Sequence, residues 1–275
     1  MIPKIIHYCW LSDDPIPEKL QYCMNTWKEK LYDYEFFLWN FDRFDINSSL
    51  WVKQAFENKK YAYAADYIRL FAVYHYGGIY LDMDVEIIKS FNDLLNRDIM
   101  LGYEDDYKNI EAACFGAEKH HPFIKQCIEY YENRSFYKSN GELDTKLTLP
   151  TILMMIYKKY DSLKISKNSL SIYSSSYFSA KDYSTGITRI TENTYSIHHF
   201  SGSWLSEKEK KLTQETWDFY KKYENDNFVI NLIKINEEYK ARIENYEKNF
   251  FENISLKVLF KKVFIKTIKK ILRKK

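Results

Sequence analysis

From Tyr61 to Glu86 the chain reads YAYAADYIRLFAVYHYGGIYLDMDVE, and the two halves of this stretch have different periods. In the first half Ala62, Ala65, Ile68, Leu70, Ala72 and Val73 stand among aromatics with no breaker, which predicts a largely buried helix stopped at Gly77-Gly78. In the second half IYLDMDVEII is short, β-branched and aromatic, and predicts one buried strand interrupted by two acids. Upstream, Ile2 to Trp10 reads as a first buried strand, with Pro3 at its start where a missing N–H does no harm. A turn-rich loop, Ser12 to Pro17, leads into a helix over Glu18 to Lys30, where Leu20, Cys23, Met24 and Trp27 recur at helical spacing. A strand over Tyr34 to Trp39 and a helix over Ser49 to Lys59 follow.

Strand, helix, strand, helix, strand is the order of a right-handed α/β unit. It predicts a Rossmann-like, mostly parallel sheet with helices on both faces. Ligands of such sheets gather at the carboxyl ends of the strands, where Trp10 and Asp82 to Asp84 both fall. Further on, the pattern predicts a short helix over Ser90 to Asn96, a strand over Ile99 to Tyr103, a helix over Pro122 to Tyr131 and another over Thr151 to Tyr160. From Ser206 to Phe250, charged and apolar residues interleave as in one or two solvated helices. The expected division is 1–205 for the α/β domain, 206–252 for a helical extension and 253–275 for a basic amphipathic tail.

The chemistry centres on the two aspartates. On a strand they share one face while Met83 points away, and unpaired charges beside Ile79, Leu81, Val85, Ile87 and Ile88 are costly unless a cation accompanies them. A hard divalent ion gripping a diphosphate is a common solution. A bare D-x-D is otherwise more often a pair of solvated acids. Asp66 and Arg69, at i and i+3 on the preceding helix, read on their own as an intrahelical ion pair.

Composition changes this picture little. The 18% aromatic share suits sugar faces and nucleobases, but Tyr, Ile, Lys and Asn rise together, as in a biased genome. Cys9, Cys23, Cys114 and Cys127 form no C-x-x-C pair and read as reduced, buried thiols. The start, MIPKIIHYCW, has no secretory pattern, and no apolar run approaches the ~20 residues of a membrane span. A cytoplasmic protein is expected.

Charge adds a distinction. Residues 257–275 carry nine Lys or Arg and no acid, so of the net +3 the body holds −6. In the tail Leu256, Leu259, Phe260, Val263, Phe264, Ile268 and Ile271 fall on one side of a helix, with lysines on the rest. Such a stripe suits an in-plane helix on anionic lipid; nucleic acid would not need it. The expected location is the inner face of the plasma membrane, with no nucleic-acid partner.

AYAADYIRLFAVYHYGGIYLDMDVE resembles the DXD sugar-binding region of family 32 glycosyltransferases, which include bacterial capsule and surface-glycan enzymes and are related to the glucosylating domains of large clostridial toxins. IPKIIHYCW, FGAEKHHPFI and ITENTYSIHHFSGSW agree with that family in the same order. The resemblance implies a GT-A type fold, a UDP-sugar donor, Mn²⁺ or Mg²⁺, and retention at the anomeric carbon. It implies Trp10 as the nucleobase contact, Tyr80 beside the diphosphate, and Asp66 and Arg69 on the donor sugar. Asp82 and Asp84 hold the metal, a late-strand histidine completes its coordination, and Ser201, Ser203 and Trp204 surround the diphosphate. Adjacent histidines on a strand face opposite ways, so one of them serves: His199 is chosen, with His198 the alternative. His7 is expected to be structural. Where the family has an Asn-Thr-Gly-like run, this chain has Glu111-Ala112-Ala113-Cys114.

The function expected is transfer of galactose, glucose or N-acetylglucosamine to a lipid-linked oligosaccharide of a capsule or other surface glycan. Its rivals are a metal-dependent phosphate-ester or nucleotide-sugar hydrolase, and a non-catalytic, membrane-attached glycan-binding protein.

Overall fold

The computed structural model describes residues 1–105, 108–162, 170–202, 205–233 and 235. The chain forms two compact units, one of residues 1–183 with 188–206, the other of residues 184–187 and the chain from Glu207 onward.

The first unit is an α/β fold. Its order is β1 (Ile5–Cys9), α1 (Glu18–Lys30), β2 (Glu35–Trp39), α2 (Leu50–Glu57), α3 (Tyr61–Tyr76), β3 (Gly78–Leu81), β4 (Val85–Ile87), β5 (Ile99–Gly102), β6 (Cys114–Ala117), α4 (Pro122–Glu129), α5 (Leu149–Ser162), β7 (Ile172–Tyr173), α6 (Ser175–Phe178) and β8 (Ser196–His198). The main sheet runs β2-β1-β3-β6-β5-β7, and β4 pairs with β8 in a separate ribbon. Among its five neighbour pairs β1 with β2, β1 with β3 and β5 with β7 are parallel, while β6 runs against both β3 and β5.

Alternation along β3 divides the core. Ile79 and Leu81 pack with Trp27 of α1, Met83 and Phe91 on one side of the sheet. Tyr80 packs on the other side, with residues of α2, α3, α4 and α5. Burying α3 almost all round is possible because Ala64, Ala65 and Ala72 let it approach the sheet closely. At its end Gly77 and Gly78 both take positive φ (68° and 103°), and a Cβ on Gly78 would stand 2.6 Å from the Ile5 carbonyl oxygen. Only glycine lets the helix drop straight into β3 alongside β1.

Two expectations change here. The stretch read as one strand is broken: Asp82, Met83 and Asp84 form a turn, closed by the Val85 N–H donating to the Asp82 carbonyl (3.0 Å), and β4 leaves in a different ribbon. The segment Ser90 to Asn96 forms turns and bends. There the Ser90 hydroxyl accepts from the Asn92 N–H (3.3 Å), a side-chain bond that competes with a helix ladder. Phe91, Leu94 and Leu95 are nonetheless buried.

The second unit contains α7 (Glu207–Lys222) and further helical residues at 227–233. Phe219 and Val229 are buried against Tyr220, Tyr223, Leu232 and Ile233. The expected tail, 253–275, and most of the 206–252 extension beyond 235 lie outside the described residues. Among the described residues no helix is long and apolar enough to cross a membrane. The thiols of Cys9, Cys23, Cys114 and Cys127 are free, and all but the half-buried Cys9 are buried.

Candidate functional site

The parallel register His7↔Tyr80 between β1 and β3 places the carboxyl ends of the two strands side by side. Trp10 therefore emerges next to the D-x-D turn, where it is half-buried and its indole N–H donates to the Asp14 carbonyl (3.0 Å). His7, further back on β1, is structural as expected. Its Nε2–H donates to the Gly77 carbonyl (2.7 Å), and its Nδ1 accepts from the Trp39 indole (3.0 Å). Burial pushes its pKa down to about 4, so it is neutral.

Asp66 and Arg69 do form the pair expected on one face of α3, Nη2 to Oδ1 at 3.3 Å. The guanidinium does more than that. Nη1 reaches Asp82 Oδ2 (3.1 Å) and the Ala112 carbonyl (2.9 Å), and the group lies 4.6 Å from the Tyr80 ring centre. Tyr80 donates its hydroxyl to Asp82 Oδ1 (2.8 Å), so both oxygens of Asp82 are engaged. A buried arginine between two acids thus straps α3 to the turn. Burial pushes the Asp66 carboxyl up to about 7 against the pull of Arg69, with the charge of Asp82 adding to the rise.

Asp84 takes a different set of partners. Its Oδ2 accepts from the Ser201 N–H (2.7 Å), and its Oδ1 lies 3.6 Å from Nε2 of His198. The loop after β8 makes this possible: Phe200 (φ 55°) and Gly202 (φ 61°) take the left-handed conformation and turn the Ser201 amide onto the carboxylate. For Phe200 that conformation is strained, and its ring covers the imidazole of His198 at 3.9 Å between centres.

The pairing Val85↔His198 settles which histidine faces the aspartates. His198 does so, with its side chain 12% exposed. His199, the choice made from the sequence, turns outward at 37% exposure and bonds Glu86 through Nε2 (2.8 Å). It meets Asp84 only through its backbone N–H, which donates to the Asp84 carbonyl (3.0 Å). Ser203 and Trp204 lie outside the described residues.

Three residues were missed as site residues by the sequence reading. Glu111 is fully buried; Oε1 accepts from the Ala113 N–H (2.7 Å) and Oε2 from Nδ1–H of His198 (3.3 Å). Glu104 lies close by, its carboxyl pushed up to about 8 by burial and by the Glu111 charge. Lys181 donates to the His199 carbonyl (3.1 Å), with burial pulling its ammonium down to about 8 against the pull of Asp84. The one local signal was Glu111 itself, an acid inside the apolar run before β6.

These contacts give His198 an unusual charge. Burial lowers its pKa, yet Glu111 and Asp84 outweigh burial and push it up to about 10. Such acids demand a cation at that point, which an imidazolium proton or a divalent ion can supply.

Asp82, Asp84 and His198 each offer one ligand atom, all within 4.8 Å of one another. That spacing fits atoms that share one ion at ligand distances of about 2.0–2.6 Å, and two carboxylates with one imidazole suit a first-row divalent metal. The donor set fits Mn²⁺ or Mg²⁺ in chemistry and in spacing.

Residues 17–100 match the family described as glycosyltransferase sugar-binding region containing DXD motif. The chain is 29% identical over 198 residues to mannosyl phosphorylinositol ceramide synthase SUR1 of Saccharomyces cerevisiae, covering 67% of this chain and 49% of that protein. It is 30% identical over 141 residues to inositol phosphoceramide mannosyltransferase 1 of Schizosaccharomyces pombe, covering 46% of this chain and 42% of that one. The chain thus spans half the length or less of these curated relatives. Among solved structures, PaToxG glycosyltransferase is similar at a TM-score of 0.44 and 17% identity, over 59% of this chain and 71% of that chain.

Proposed function

We propose that this chain, whose residues 17–100 match the family described as glycosyltransferase sugar-binding region containing DXD motif, is a metal-dependent enzyme of GT-A type moving a hexose from a nucleotide diphosphate sugar to a lipid-borne hydroxyl. The convergence of Asp82, Asp84 and His198 at the carboxyl edge of the sheet carries this reading.

A divalent ion held there would supply positive charge against the departing nucleotide diphosphate. The protein's own groups do the rest. Asp84, fixed by the Ser201 amide, and His198 hold the ion's place, and Asp82 completes it while Arg69 and Tyr80 fix its rotamer. Trp10, at the end of β1, is positioned for the nucleobase. The Asp66–Arg69 pair borders the place of the donor sugar. Lys181 adds positive charge beside Asp84. Asp82, Asp84 and Glu111 are each committed to fixed donors, so none of them is a free nucleophile. Attack on the face the diphosphate leaves, with retention, suits such a site.

The acceptor and the location rest on the sequence. A stripe of large apolar residues among lysines at 253–275 suits a cytoplasmic enzyme held at the inner face of the plasma membrane, where a lipid-linked glycan would be met. One of the two curated relatives is named a mannosyl phosphorylinositol ceramide synthase and the other an inositol phosphoceramide mannosyltransferase, which adds mannose to galactose, glucose and N-acetylglucosamine as donors to test.

The experiment is a donor screen with UDP-galactose, UDP-glucose, UDP-N-acetylglucosamine and GDP-mannose in Mn²⁺. One of them should be turned over with release of nucleoside diphosphate, and EDTA or Asp84→Ala should abolish the release in a protein that still folds. Full turnover by that variant, or no donor bound in Mn²⁺, would overturn the reading.

A further inference from the structure

We propose that Glu111 is the positioning residue of this site: its buried carboxylate takes the Nδ1–H of His198 and thereby presents Nε2, with its lone pair, to Asp82 and Asp84. The proposal rests on the metal reading above and adds a residue that touches neither ion nor substrate.

Several observations converge on Glu111. It has no exposed surface, so a charge there must serve a partner. One oxygen is locked to a backbone amide two residues ahead, which fixes the carboxylate plane and aims the second oxygen at His198 (3.3 Å). A carboxylate can only accept, so Nδ1 keeps its hydrogen and the tautomer is set. The opposite nitrogen then lies 3.6 Å from Asp84 Oδ1, longer than a hydrogen bond and close enough for both atoms to share one ion. Carboxylate to imidazole to metal is a general way of orienting a histidine ligand and raising its basicity.

Two neighbours adjoin the His198–Glu111 pair. Phe200 lies against the ring of His198, which limits its rotation. Glu104 stands beside the pair: one carboxylate oxygen of Glu104, one of Glu111 and one ring nitrogen of His198 lie within 4.8 Å of one another.

Glu111→Gln tests the assignment with little change in volume. A glutamine that keeps its oxygen on the Ala113 N–H turns its amide NH₂ toward Nδ1, which favours the Nε2–H tautomer and blocks the lone pair. The readout is the dissociation constant of Mn²⁺ itself, followed by electron paramagnetic resonance of the free ion on the whole chain. A loss of roughly 10–100-fold is expected, the usual range for such outer partners. Thermal stability without added metal should change far less than the Mn²⁺-induced stabilisation does. Equal Mn²⁺ affinity in a folded Glu111→Gln protein would overturn the role of Glu111 while leaving the metal site standing. A wild-type protein that binds no Mn²⁺ would instead defeat the metal reading itself.

Should Glu111→Gln not fold, the wild-type spectrum carries the test, with His198→Asn serving only to assign the signal. In ¹⁵N-histidine spectra recorded with Mg²⁺, the ring missing from His198→Asn should show its hydrogen on Nδ1. Finding it on Nε2 would overturn the proposal.

Discussion

Each aspartate of the D-x-D turn meets a buried cation, and the two cations differ in kind. Asp82 meets Arg69, whose guanidinium never loses its proton in a protein and is bonded besides to α3 and to the Ala112 carbonyl. Asp84 meets His198, whose positive charge is favoured by Glu111 and Asp84 and depends on one exchangeable proton at Nε2. The Arg69 end is a permanent clamp that shapes the turn. The His198 end can exchange a proton for a metal ion, so the two halves of one motif divide structure from chemistry.

The largest effect tests the clamp. Arg69→Met leaves Asp66 and Asp82 facing each other without their cation and should cost about 3–5 kcal/mol of folding stability, read by urea unfolding. A loss below about 1 kcal/mol would mean that Arg69 is not what holds the turn. The exchangeable end is tested next: His198→Ala, which deletes the ligand itself, should weaken Mn²⁺ binding by at least the roughly 10–100-fold expected on losing its outer partner. His199→Ala, which removes only the outward contact with Glu86, should change it less than about threefold. Equal losses in both would erase the distinction drawn from β8.

A smaller effect concerns Asp66, whose carboxyl burial raises to about 7. The folded state then binds more protons than the unfolded chain between about pH 4 and 7, so stability falls as pH rises through that window and levels off above it. Asp66→Asn should remove a slope on the order of 1 kcal/mol per pH unit there. An unchanged slope would show that Asp66 stays ionised against Arg69.

Only the Asp66–Arg69 half of the clamp was legible in the sequence, the reach of Arg69 to Asp82 was not, and the exchangeable end was likewise half legible. The helix of Tyr61 to Tyr76 and its stop at Gly77 follow from local pattern, and i, i+3 spacing places Asp66 beside Arg69. Alternation did not show the turn at Asp82 to Asp84, because β-branched neighbours on both sides look like one continuous strand. Choosing between His198 and His199 needed the register of β8 on β4, a pairing across more than a hundred residues that no local period encodes. Glu111 stood out only as an acid in an apolar run and as a departure from the Asn-Thr-Gly-like run of the resembling family, because its partner is 87 residues away. Ser90 to Asn96 misled in the opposite sense: a buried Phe91, Leu94 and Leu95 gave helical spacing to a run of turns.

One crystal would test the division most directly. With Mn²⁺ and a nucleoside diphosphate bound, the anomalous signal of the metal should lie within roughly 2.6 Å of an Asp84 carboxylate oxygen and of His198 Nε2. Arg69 should still be bonded to Asp82. A metal held by His199 and Glu86, or one that sits away from the aspartates altogether, would contradict the account.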